Sequence, residues 1–227
     1  MISEKTNKLN SPKLGEGIFL IKDICEILLL PYPRVRHWVI EFWDNRLGKA
    51  YSHKYSFGEN NNRAVNFYSL IEFYTFYHLR QKGVSAQRIQ KAHKVISKEL
   101  NALYPFAKAG ISTDGKEIWY DHLENLIKAD GSTQLDFKQI IEPFLLKIDY
   151  DKQLLAEKYY PLGKTHSVVV DPKHQFGQPT IQGTNIQVET LYRLFKGGET
   201  KDNLCILYEL KKSQVSDAIL YFENRRA

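Results

Sequence analysis

The chain has 227 residues, 43% of them hydrophobic, which is enough to bury a core and too apolar for a disordered chain. No run of about 18 apolar residues occurs, so a membrane-spanning helix is excluded. The formal net charge of +6 is unevenly spread: residues 1–110 carry 17 Lys/Arg and 9 Asp/Glu (+8), residues 111–165 carry 7 and 10 (−3), and residues 166–227 carry 8 and 7 (+1). A cationic front is what a phosphate backbone attracts, although charge alone fits a solvated basic face equally well. No secretory pattern opens the sequence. Cys25 and Cys205 lie far apart among apolar helical positions and read as buried, reduced thiols of a cytoplasmic protein.

The residues up to Ser11-Pro12 are polar and read as a loose start, with 1–16 outside the first folded unit. Ile21, Ile24, Cys25 and Leu28 then recur at helical spacing, and Pro31-Tyr32-Pro33 breaks the chain. Val35, Trp38, Val39 and Phe42 mark one face of a second helix, whose other face shows Arg34, Arg36, His37 and Glu41. Two short helices with a tight break match a helix-turn-helix. Alternation of Tyr51, His53, Tyr55 and Phe57, the turn Gly58–Asn62, and a return through Arg63, Val65 and Phe67 predict a hairpin, or wing. Helical patterns follow. One carries an aromatic face with Leu70, Phe73, Tyr74 and Tyr77 and ends at Gly83; the next starts at Ser85 with Ile89, Ala92, Ile96, Leu100 and Leu103 as its stripe. At helical spacing the aromatic run predicts core or dimer contact before base stacking.

Residues 104–165 are acidic and mixed, with turn signals at Thr113–Gly115 and Asp130–Ser132, short strand patterns near Ile118–Tyr120 and Gln134–Phe137, and a partly helical stretch from Ile140 to Tyr160. They read as a β-rich linking or dimerising module. Residues 166–227 open on the β-branched run Ser167–Val170. Three helical patterns follow a Gly/Pro-rich segment: Val188–Phe195 stopped by Gly197-Gly198, Leu204–Leu210 opened by Thr200, and a third from Ser213 that buries Val215, Ile219 and Phe222. The predicted fold is therefore mainly α with small β parts (α+β): a winged helix-turn-helix over 17–103, a mixed module over 104–165, and a three-helix homeodomain-like bundle over 166–227.

Two resemblances cover most of the chain. Ile21–Leu28, Arg34–Trp38, Arg63 and the stretch Phe67-Tyr68 to Leu79–Ser85, in the order helix, helix, wing, helix, resemble the winged helix-turn-helix of MerR-type regulators. Val169–Pro172 and then Gly177–Val188 resemble the signature of a small domain of VapB-like antitoxins, usually Gly-x-Pro-x-Ile-x-Gly-Thr-Arg-Ile, with Asn185 here in place of the Arg. The resemblance implies an antitoxin that represses its own operon and neutralises a cognate PIN-type RNase toxin. Read physically, Gly177 and Gly183 permit backbone that a side chain would block, and Thr184 or Asn185 can bond the local backbone. That describes a loop ordering the start of the bundle.

The expected partners are double-stranded operator DNA, the PIN-type toxin and a second copy of the chain. Arg34 and His37 are the first candidates for base or phosphate contact from the recognition helix, with Arg36 on the same face. Lys54, Arg63 and the tip at Asn61 are candidates for phosphate contacts, which position without specifying sequence. PIN-type sites are carboxylate clusters, so the basic end Arg225-Arg226 is a candidate plug. No cofactor or metal is expected: the histidines are scattered and none pairs with a cysteine at metal spacing. Gly163-Lys164-Thr165 resembles the end of a phosphate-binding loop, but Lys158 stands where its first glycine belongs. An enzyme is not expected. The alternatives are a stand-alone MerR-like regulator with an oligomerising or ligand-sensing rear unit, and an interaction module whose basic face is incidental.

Overall fold

The computed structural model describes residues 12–108 and 143–224. It is mainly helical with small strands, as the periodicity predicts. β1 (Phe19–Leu20) runs into α1 (Ile21–Leu28), where Asp23 accepts a hydrogen bond from the Leu20 N–H at 2.9 Å and so satisfies an open donor of the first turn. Leu29 ends α1 in the left-handed region, the Leu30 N–H returns to the Cys25 carbonyl at 3.0 Å, and Pro31 caps α2 (Tyr32–His37). α2 continues as a π-helical segment, Trp38–Gly48, and a last turn, Lys49–Tyr51. In that segment the buried residues fall at Val39, Phe42-Trp43 and Leu47-Gly48, a four-to-five-residue rhythm that the wider i→i+5 turn matches.

The helix therefore occupies ground where alternation predicted a strand from Tyr51. Strand β2 is only Ser56–Phe57, and Phe67 opens a helix instead of closing the return strand. The reason lies at Gly48. Its backbone is met so closely that an added Cβ would sit 2.4 Å from the His53 carbonyl oxygen, and Ser52 turns left-handed to let the chain fold back. β3 (Ala64–Val65) lies between β1 and β2, with Val65 opposite both Phe19 and Ser56.

α3 (Phe67–Gln81) begins at Asn66, whose side chain accepts from the Ser69 N–H at 3.0 Å, and α4 (Ala86–Glu99) begins at Ser85, which accepts from Arg88 at 3.3 Å. α4 stops before Leu103, which lies at the surface. The aromatic run of α3 is core: Trp43 meets Phe73 edge-on with ring centres 4.4 Å apart, and Phe42 and Trp38 pack on Phe76 at 4.7 and 5.0 Å. Glu72 is fully buried beneath them, 2.9 Å from His93, and its other oxygen takes the Phe106 N–H at 2.8 Å.

The turn signals and strand patterns between residues 109 and 142 lie outside the described residues. Beyond them, β4 (Ile148–Tyr150) and β5 (Ala156–Tyr159) form a hairpin where helical content was expected. Asp151 decides it: one carboxylate oxygen accepts from both Gln153 and Leu155, at 2.8 and 2.9 Å, which folds the chain back over four residues. Ile148, Ala156, Tyr159 and Val170 join the front core.

A second core is built from β6 (Val168–Val169), β7 (Thr180–Ile181), α5 (Val188–Lys196), α6 (Lys201–Tyr208) and α7 (Lys212–Glu223), around Val168, Ile181, Leu191, Leu204, Val215 and Ile219. Thr200 caps α6, accepting from the Asn203 N–H at 3.1 Å. α7 starts at Lys212, ahead of the expected Ser213, because Gln214 reaches back to the Lys211 N–H at 2.9 Å. Both cysteines are half-buried and free.

Candidate nucleic-acid interface

α1, the Leu29-Leu30 turn and α2 present one outward face. Val35 and Val39 are buried, while Arg34, just before Val35, and Arg36 and His37, between them, are exposed, and their side chains have no partner among the described residues. Lys54 is exposed just before the hairpin, and Asn61 is exposed at the centre of the 3-10 turn Asn60–Asn62 at its tip. All five are exposed, three of them on α2 and two at the hairpin.

Arg63 is placed differently. Its guanidinium donates to Asp44 at 3.0 Å and to Ser56 Oγ at 2.8 Å, and its side chain is only 19% exposed. Asp44, from the π-helical segment, also accepts the backbone N–H groups of Tyr55 and Ser56, each at 3.0 Å, and the Ser56 hydroxyl. Four donors on one carboxylate fasten the hairpin to the long helix, so the wing is held at a fixed distance from α2. Sequence reasoning missed Asp44, whose only signal is an acid inside an apolar helical run facing one arginine 19 residues on.

Beside the wing, burial pushes the Tyr104 hydroxyl up to about 12, and His53, 3.3 Å from it, is held below its usual value by burial. These are packing groups. Lys164, from the sequence that resembles a phosphate loop, is bound to Asp149 at 2.6 Å. Among the described residues no three His, Cys, Asp or Glu side chains converge as a metal site would require. No helix among them is long and apolar enough to cross a membrane.

The Gly/Pro-rich loop is a structural joint. Gly177 has φ +90°, and a Cβ there would lie 2.3 Å from the Phe19 ring, so only glycine lets β1 and this loop meet. The Phe176 carbonyl accepts from the Ile18 N–H at 2.8 Å, and Gln178 reaches Asp23 at 3.3 Å. Thr184 donates to the Ile181 carbonyl at 2.8 Å and accepts from the Ile186 N–H at 3.1 Å, as its place in the loop predicts. Asn185 lies 2.8 Å from His174. Arg225 and Arg226 lie outside the described residues.

The element order and strand pairing define a mainly helical protein with small strands, a large front core and a separate helical rear core. Residues 168–222 match the family described as "Protein of unknown function (DUF433)". Among curated proteins, the chain is 26% identical over 168 residues to the "Putative antitoxin VapB45" of Mycobacterium tuberculosis, covering 67% of this chain and 69% of the relative. It is 31% identical over 74 residues to the "Uncharacterized protein Rv2308" of the same organism, covering 33% of this chain and 29% of that one. Among solved structures, the crystal structure of Rv2018 from Mycobacterium tuberculosis superposes with a TM-score of 0.69 at 20% identity, over 88% of this chain and 96% of the other, which shows a shared fold. In sequence, then, this is an antitoxin-like protein.

Proposed function

We propose that this chain is a non-enzymatic antitoxin that binds operator DNA through α2 and its hairpin and neutralises a PIN-type RNase through its rear unit. The observation that carries the DNA half is the unpartnered trio Arg34, Arg36 and His37 on the outward face of α2. Arginines free of internal ion pairs keep their full attraction for phosphates and base edges, and the His37 ring adds a hydrogen-bonding group beside them. Lys54 and Asn61 add backbone contacts from the wing. Arg63 works through Asp44 to set the wing's distance from α2. The similarity to a putative antitoxin supports the toxin half, in which Arg225 and Arg226 meet the nuclease's carboxylates and the chain works as a homodimer.

The test has two arms on the full chain. Titrated with a duplex from its own promoter, the protein binds in the nanomolar range at low salt and weakens steeply as salt rises. Co-expressed with the product of the gene next to its own, it copurifies with that protein and relieves its toxicity. Tight operator binding with no effect on the neighbour would replace this reading with a stand-alone regulator. Absence of both activities would leave nothing of it.

A further inference from the structure

Three lysines in and after the β4–β5 hairpin are paired with carboxylates: Lys158 with Asp171 at 3.4 Å, Lys164 with Asp149 at 2.6 Å and Lys173 with Glu157 at 2.6 Å. Lys147, half-buried just before β4, has no carboxylate partner among the described residues. Its ammonium donates to the Pro161 carbonyl at 3.2 Å, and its own carbonyl accepts the Tyr160 N–H at 2.8 Å, so its place is fixed at both ends. An ammonium carries three donors, and two remain for another acceptor. Burial lowers the Lys147 pKa. A cation drawn from water with no anion beside it is costly to the fold, and an anion that arrives later removes that cost.

The surroundings say what kind of anion. Lys147 lines a cavity of 410 Å³ where the Leu28-Leu29 end of α1, α3, the stretch before β4, Leu162 and the end of α7 meet. The His78 ring lies flat on Phe144, with ring centres 3.6 Å apart and planes 17° apart, and Tyr77 stands beside it at 5.1 Å. His78 is held at about 4, so near neutral pH this aromatic wall is uncharged. Leu29, left-handed and 55% exposed, adds an apolar side chain. Small-molecule sites are concave, roughly 300–1,000 Å³, mostly apolar, and oriented by a few placed polar groups. One cation among rings matches one negative charge on an apolar body. A phosphate dianion would bring more charge than Lys147 answers, and a neutral ring compound would leave Lys147 as it stands.

We infer that this cavity binds a small aromatic monocarboxylic acid, whose carboxylate pairs with Lys147 and whose ring lies against Tyr77, His78, Phe144 and Leu162. The inference stands apart from the antitoxin reading and does not depend on it.

The test is calorimetric titration of the full chain at neutral pH with benzoate, phenylacetate and indole-3-acetate, each beside its primary amide. Wild type is compared with Lys147→Met, which keeps the apolar stem and removes the charge, and with Leu162→Trp, which narrows the cavity and keeps Lys147. Melting temperatures show that both variants are folded. At least one acid is expected to bind wild type with a Kd below about 1 mM and at least about tenfold more tightly than its amide. Lys147→Met should bring that acid down to the affinity of the amide, and Leu162→Trp should weaken acid and amide alike. Binding of no acid below about 1 mM, equal binding of acid and amide by wild type, or unchanged acid binding in either folded variant overturns the inference. The acid–amide comparison on wild type decides it even where a variant fails to fold.

Discussion

The helix pairs α1–α2 and α6–α7 share the backbone of their turns, with Leu29 and Glu209 left-handed and the next N–H returning to Cys25 and Cys205 at 3.0 Å, but the cores around them are fastened by different chemistry. The front one depends on polar groups drawn into the interior from far apart in the chain: Asp44 with Arg63, and Glu72, which lies beside His93 and accepts the Phe106 N–H. The rear one is held by aliphatic packing around Leu204 and Val215 and by local caps at Thr200 and Gln214. A buried polar group stranded by loss of its partner costs the fold heavily, so the front unit is the more easily broken. Aliphatic packing loses stability in smaller steps. Under the proposed function, the difference suits a front unit that matches the spacing of a duplex and a rear unit that grips another protein.

The sharpest way to break this comparison is Glu72→Ala, which leaves His93 buried beside a void and strands the Phe106 N–H. It should cost about 1–3 kcal/mol for the stranded donor and more with the void beside it. Urea unfolding followed by the fluorescence of Trp38 and Trp43, both in the front core, should show a much earlier midpoint. A loss below about 1 kcal/mol, within the range of an ordinary surface change, would mean that the buried pair does not hold the front together.

Gly177→Ala comes next. It forces a side chain into a left-handed position and against the Phe19 ring, at a cost of about 1–3 kcal/mol for the backbone conformation alone. Because Gly177 joins the two cores, both should destabilise, seen as a lower melting temperature in near- and far-ultraviolet circular dichroism together. Thr200→Ala removes only a local cap of the rear unit and should cost about 1 kcal/mol, leaving promoter binding untouched.

The smallest effect is one of pH. Burial, reinforced by Lys147 and Lys82, holds His78 at about 4, below the ordinary 6.5. The unfolded chain takes up a proton near pH 6.5 that the folded one refuses until about 4. This contribution to stability is therefore complete above that window and lost as pH falls through it. His78→Phe should flatten the fall in urea midpoint between pH 7 and 5; an unchanged slope would show that His78 is not its source.

Much of this architecture is legible in the sequence where forces are local. The helix starts at Ser85 and Thr200, the stop at Gly83 and the bonding of Thr184 follow from residue type and spacing alone. The outward face of Arg34, Arg36 and His37 follows from the apolar spacing of Val35 and Val39 on the opposite side of the helix. What is not legible depends on partners distant in the chain. Alternation from Tyr51 to Phe57 imitates a strand, but the packing of Trp43 and Leu47 and the close approach at Gly48 carry the helix through Tyr51. Arg63 reads as a free cation until the fold brings Asp44 to it. The hairpin at 148–159 hides in a helical-looking stretch because the carboxylate of Asp151 outweighs weak periodicity. Gly177 is recognisable as a special position, but its neighbour Phe19 is not.

The proposed function has α2 meeting phosphates and α7, its counterpart in the rear core, not doing so. The most direct test is the salt dependence of promoter binding by wild type, Arg34→Ala with Arg36→Ala, and Gln214→Ala with Ser216→Ala. The account predicts that the first pair weakens binding and lowers the slope of log affinity against log salt by about one for each lost phosphate contact, while the second pair leaves both affinity and slope at wild-type values. Equal losses from both pairs, or no loss from Arg34 and Arg36, would contradict it.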